Sequence, residues 1–127
     1  MMTNTQDLAL AIAGGIGSAV AVFHGVLTQR MIVRPLEGIA ASRLPRSIRR
    51  LAAMLLQFST FNWFIGGLAL IAAAFAAGRD VKLAVGLLVG SSYLYGAIGN
   101  FTATRGRHPG WVLYSVALAL IAYALIG

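Results

Sequence analysis

Residues Arg30 to Arg50, RMIVRPLEGIAASRLPRSIRR, decide the fold, because they hold six of the ten basic residues and stand between the first two of four long apolar runs. A stretch of that charge between apolar runs reads as the cytoplasmic anchor of an integral membrane protein. The remaining sequence agrees. Of 127 residues, 59% are hydrophobic and 10% charged, against roughly 45–50% and about 25% in soluble domains. A small globule leaves too much of its surface wet to hide so apolar a chain. Lipid is the solvent this composition calls for.

The net charge of +7 raises the possibility of a nucleic-acid partner. The basic residues, however, cluster at the ends of the apolar runs with no interleaved aromatics, so anionic headgroups are the expected counterions. The chain has no cysteine, which excludes disulfides, thiolate metal sites and thiol nucleophiles.

Moving outward from the basic stretch, four spans are expected at about 8–28, 51–77, 81–103 and 110–126, in one domain covering 1–127, with 29–50 as a basic cytoplasmic loop. About 20 residues of helix cross a hydrocarbon core of roughly 30 Å. The polar tail MMTNTQD precedes the first span. Ala19-Val20-Ala21 resembles a signal-peptide cleavage site, but the positive n-region is missing and the apolar run is too long, so a retained helix is expected. Pro35 and Pro45 argue against one continuous helix through the loop. They leave a short surface helix at 36–44, with Ser47 as the cap of the second span. Gly78-Arg79-Asp80 reads as a tight turn on the opposite face. Gly17, Ala21 and Gly25 recur every four residues, and Gly86 and Gly90 repeat the spacing, which lets helices approach closely.

With four spans, the loops at 28–50 and 104–110 share a face. That face carries eight Lys or Arg residues; Arg79 and Lys82 lie on the other. The positive-inside rule then places the eight in the cytoplasm and both termini in the periplasm. The fold class is therefore all-α, an integral membrane bundle of four transmembrane helices. Trp111 and Tyr123, near opposite ends of the last span, suit the interfacial aromatic belts.

Polar groups inside lipid are costly unless bonded and should face the bundle interior. Ser18, Asn62 and Ser91-Ser92 fall near the middle of their spans, with His24, Gln57, Tyr95 and Asn100 toward the cytoplasm. His24, Gln57, Asn62, Tyr95 and Asn100 are the candidate polar pocket, open to the cytoplasmic side. The plain alternative is a set of interhelical hydrogen bonds worth about 0.6 kcal/mol each. Arg30, Arg34, Arg43, Arg46, Arg49, Arg50, Arg105 and Arg107 are candidate contacts for anionic lipid or a partner. No metal or cofactor is expected. The acids are only Asp7, Glu37 and Asp80, and the second histidine, His108, sits in a loop beside Pro109 instead of on a helix facing His24. No carboxylate lies within a span to couple proton transport. No GxSxG elbow or triad arrangement supports hydrolysis, so no enzyme is expected.

His24-Gly-Val-Leu-Thr-Gln-Arg30, Arg34-Pro-Leu36 and Arg105-Gly-Arg-His-Pro-Gly-Trp111 together resemble a group of small uncharacterised bacterial four-helix membrane proteins. That group shows a His ending helix one, a polar-Arg pair, a Pro-Leu, and an Arg-Gly-Arg-His turn before helix four. Helix two departs from it, reading Gln57-Phe-Ser-Thr-Phe-Asn-Trp63 where the group has a second His beside a Trp. The resemblance implies a multi-pass protein of the bacterial inner membrane and no particular activity. The first functional expectation is a non-enzymatic subunit of a membrane complex, or a small homo-oligomer, docking through its glycine faces. The alternative is a transporter or binding protein for a small or amphipathic molecule held in the polar pocket.

Overall fold

The computed structural model describes residues 3–126, and all of its regular elements are helical. Helix α1 spans Asn4–Thr28, a π-helical turn covers Gln29–Val33, α2 spans Arg34–Ala40, α3 Arg46–Ala76, α4 Arg79–Thr104 and α5 Gly110–Ile126. Three helical stretches are long and apolar enough to cross a membrane: Asn4–Ala40, Arg46–Ala76 and Arg79–Thr104. Helix α5 is apolar and shorter, at 17 residues.

The first helix starts earlier than the hydropathy suggests. Thr3 accepts from the Gln6 backbone N–H, and the Gln6 side chain accepts from the Thr3 N–H at 2.7 Å, a capping box that satisfies two otherwise free donors. The polar tail is therefore helical from Asn4; Met1 and Met2 lie outside the described residues.

Pro35 does not end the helix, contrary to the expectation from its ring. Proline lacks an N–H and clashes with the carbonyl four residues back. Here the preceding turn widens into a π turn, with the Arg34 N–H donating to the Gln29 carbonyl five residues earlier. The extra residue per turn accommodates the ring, and the helix runs on to Ala40. Most of the expected loop at 29–50 is thus a helical hairpin. The short helix at 36–44 is the end of this extension, with a break confined to 41–45. Ser47 does not cap α3: Pro45 occupies the cap position, no side chain bonds there, and the helix starts at Arg46. On the other face the turn is Ala77-Gly78, with Arg79 and Asp80 already inside α4.

The helices form a ring in the order α1, α3, α4, α5, with α1 packed most extensively on α3 and α3–α4 the thinnest of the four adjacent interfaces. Small residues bring α1 and α3 together. A Cβ on Gly14 would overlap the Gly67 carbonyl, and one on Gly67 would overlap Ser18 and the Gly14 carbonyl. Gly25 makes room for Thr60, Gly86 for Leu125, and Gly96 for the Trp63 ring. Gly17 is covered by the phenol of Tyr93, which crosses the bundle from α4. The central layer is aromatic. Trp63 and Tyr114 have ring centroids 5.0 Å apart, as do Tyr93 and Tyr114, and all three are buried. At the end holding the start of α1 and the end of α5, Lys82 Nζ donates to Asp7 at 2.6 Å and ties α4 to α1.

The arm formed by Gln29–Ala40 and the start of α3 extends beyond α4 and α5. At about 1.5 Å per residue, Asn4–Ala40 is roughly 55 Å long and α5 roughly 26 Å. Helix α2 buries none of its residues. Met31 and Ile39 are each 70% exposed beside the arginines.

Candidate functional site

The thin α3–α4 interface opens into a cleft of about 450 Å³ near the arginine-bearing end. Helix α3 presents Phe58, Ser59, Asn62 and Trp63 to it, four residues toward one side of the helix because successive helical residues turn by about 100°. Helix α4 presents Ser92, Tyr95 and Asn100, and α1 contributes His24 from behind. A second void of about 310 Å³ continues along the same seam toward the middle of the helices. It is lined by Asn62, Gly66, Val89, Ser91 and Ser92, so Asn62 and Ser92 border both.

Asn62 Nδ2 donates to Ser92 Oγ at 3.0 Å, the one hydrogen bond between α3 and α4 side chains among the described residues. The pair sits at the centre of both helices and remains exposed. His24 lies deeper. Its Nε2 is 3.3 Å from Thr28 Oγ1 and 3.4 Å from Ser59 Oγ, and its ring meets Trp63 edge-on at 4.8 Å. These contacts fix the imidazole between α1 and α3. Asn100 donates to the Gly96 carbonyl one turn back at 2.8 Å, which holds its side chain against its own helix. Tyr95 is 80% exposed at the rim.

Four of the five candidate pocket residues, His24, Asn62, Tyr95 and Asn100, line this cleft. Gln57 lies elsewhere. It donates to the Gly25 carbonyl at 3.1 Å and to Gln29 Oε1 at 3.2 Å, and accepts from Thr60 at 2.9 Å. These bonds pin α3 to α1 at the start of the π turn, next to Arg30 and Arg34. The five residues separating Gln57 from Asn62 rotate it to another face, a displacement readable from helical geometry alone. Ser59 and Trp63 were not singled out as pocket residues, yet both share a helix face with Asn62, at three residues before and one after. Ser18, expected at mid-span like Asn62, lies in the α1–α3 seam and donates to the Phe64 carbonyl at 3.1 Å.

His24 and Asn100 also border a smaller, mostly apolar cavity of about 180 Å³ on the far side, between α1 and α5, which His108 and the buried Tyr114 also line. The loop therefore brings His108 to the bundle end near His24. No group of three or more His, Cys, Asp or Glu side chains suited to a metal occurs among the described residues.

The arginines form a separate region. Arg30 and Arg34 lie on the arm, Arg43 in the break that follows it, and Arg46, Arg49 and Arg50 at the start of α3; Arg105 and Arg107 lie on the α4–α5 loop. Arg105 adopts the left-handed conformation at the end of α4, with φ 52°, followed by Gly106 at φ 75°. The loop is then closed by Trp111 Nε1 donating to the Gly106 carbonyl at 3.0 Å and by Phe101 meeting Trp111 edge-on.

Compared with known proteins, the chain matches no family model, no curated protein and no solved structure.

Proposed function

We propose that this chain is a multi-pass protein of the bacterial inner membrane, with four crossing helices and both termini in the periplasm, that binds a small amphipathic molecule in the α3–α4 cleft. The observation that carries the reading is the exposed Asn62–Ser92 pair at mid-helix. In lipid, an exposed amide at that depth is costly, because hydrocarbon offers no partner. A polar group entering the cleft removes that cost. The apolar remainder of such a molecule would stay between α3 and α4, where Phe58 and Ile65 are exposed beside the opening. Thus the cleft suits a molecule reaching it sideways from the bilayer.

The reading assigns binding, not catalysis, since no acid side chain lines the cleft. The glycine faces support it indirectly. Gly14, Gly17, Gly25, Gly67 and Gly86 are already filled from within the chain, so they offer no free surface for a second copy. An accessory-subunit role would have to use the arm, whose arginines and exposed Met31 and Ile39 suit anionic headgroups or an acidic partner.

The test is Asn62→Leu in protein reconstituted into nanodiscs, with binding of fluorescent amphiphiles as the readout. The variant keeps its helicity and thermal midpoint within a few degrees and loses binding. Unchanged binding removes the cleft from consideration.

A further inference from the structure

An open groove of about 430 Å³ runs between α1 and α3 at the arginine-bearing end, and its polarity changes along its length. Val22, Val26, Arg30 and Arg34 follow one another every four residues along the continuous helix, and all four line the groove. In a regular α-helix four residues over-rotate by about 40°, so such a row drifts around the cylinder. The π turn takes more residues per revolution and opposes that drift. The turn that accommodates Pro35 thus keeps both arginines on the valine side of the helix.

The change from valine to arginine falls at a telling depth. Measured from Leu8, where the apolar run begins, Val26 stands about 27 Å along the helix and Arg30 about 33 Å. A hydrocarbon core of roughly 30 Å ends between them, and the headgroup layer occupies about the next 5–7 Å. Arg30 and Arg34 therefore stand at headgroup level, with the two exposed valines in hydrocarbon below them.

The donors of the groove have no internal use. The one ion pair among the described residues is Lys82–Asp7 at the opposite end, and no acid side chain lines the groove. Gln57 orients a further donor. Its Nε2 bonds Gln29 Oε1 at 3.2 Å while its own oxygen accepts from Thr60, which turns the Gln29 carbonyl toward α3. None of the hydrogen bonds among the described residues uses Gln29 Nε2. Two guanidiniums and a fixed amide thus face an anion, and guanidinium geometry matches phosphate oxygens. An acidic peptide would gain nothing from the valine half at hydrocarbon depth, where its backbone finds no partners. A diacyl phosphate spans both halves.

We infer that this groove is a binding site for one anionic phospholipid of the leaflet at the arginine end. Its phosphate diester lies on Arg30, Arg34 and Gln29 Nε2, and an acyl chain lies along Val22 and Val26. Only these two of the eight arginines at this end line the groove; the rest attract the anionic surface without selecting a lipid. The inference rests on the membrane-spanning reading of the chain and is independent of the α3–α4 cleft.

The test is native mass spectrometry of the full chain in mild detergent, titrated with dioleoylphosphatidylglycerol or with dioleoylphosphatidylcholine. One phosphatidylglycerol per chain is expected to bind at least about tenfold more tightly than phosphatidylcholine. Arg30→Gln and Arg34→Gln each weaken it about fivefold and together about thirtyfold. Gln29→Glu, which still accepts from Gln57 but presents a negative oxygen in place of the amide donor, removes the preference. Arg43→Gln with Arg46→Gln, both exposed and outside the groove, leaves it within twofold, as does Asn62→Leu. An equal loss in the Arg43/Arg46 pair reduces the effect to general surface charge and overturns the inference. Displacement of the lipid by millimolar glycerol phosphate overturns it too, because the site would then belong to a free phosphate ester. A chain that needs detergent yet binds both lipids equally refutes this site alone, whereas one that stays in solution without detergent refutes the membrane reading beneath it.

Discussion

Gly67→Ala adds one methyl group where α1 and α3 touch most closely, and the consequence can be worked from the contacts. The new Cβ would stand 2.8 Å from the Ser18 backbone nitrogen and would overlap both the Ser18 hydroxyl and the Gly14 carbonyl. Two of those three neighbours are backbone, so no rotamer change relieves the clash, and the helices must separate. Overpacking of a well-filled interface costs about 1–3 kcal/mol. Separation also stretches the hydrogen bond from Ser18 to the Phe64 carbonyl, now 3.1 Å, worth about 0.6 kcal/mol between membrane helices. The sum, about 2–4 kcal/mol, exceeds the gain of up to about 1 kcal/mol in helix propensity from glycine to alanine. Gly99→Ala is the control, since a Cβ there meets nothing within 4 Å. Thermal unfolding in a mild detergent, followed by circular dichroism, should show a lower midpoint for Gly67→Ala and an unchanged or higher one for Gly99→Ala. Equal midpoints for the two variants would refute the close α1–α3 contact as the organising interface.

Three further outcomes follow from other parts of the structure. Asp7→Asn leaves Lys82, whose side chain is 8% exposed, without its anion; it should cost about 3 kcal/mol, more than Lys82→Met, and a double-mutant cycle by thermal unfolding checks the order. Gly106→Ala forces a Cβ into the left-handed region and to 3.1 Å from the Phe101 ring; a loss of about 1–2 kcal/mol and a shift of Trp111 emission are expected. Single cysteines at Ser42 and Gly78 should react with a membrane-impermeant maleimide from opposite sides of the membrane, Gly78 in intact spheroplasts and Ser42 only in inverted vesicles; labelling of both from one side would overturn the proposed orientation.

Much of the helical layout was legible because it follows from long apolar runs and glycine or proline at their ends. What hydropathy could not show was how individual residues resolve local conflicts. Pro35 reads as a stop, but a π turn absorbs its ring, and the signal for such a turn is a tertiary compromise with no fixed sequence form. Gly17 reads as a helix-contact residue, and so it is, but the group that fills its space is Tyr93 from the diagonal helix, which no spacing within α1 can name. The Thr3–Gln6 capping box was present in the letters and went unused because the apolar run begins later. Among the polar candidates, helical rotation separates Gln57 from Asn62 without any coordinates. The pairing of Asn62 with Ser92, and the gathering of His24, His108 and Tyr114 around one cavity, depend on the order of helices around the ring. A single sequence does not encode that order in any local pattern.

The most direct test of the central claim is native mass spectrometry of the protein released from its own membrane with minimal detergent, run on wild type and Asn62→Leu side by side. The account predicts a small molecule retained at one per chain by the wild type and absent from the variant. A wild-type chain that emerges bare, or bound only to another protein, would contradict it.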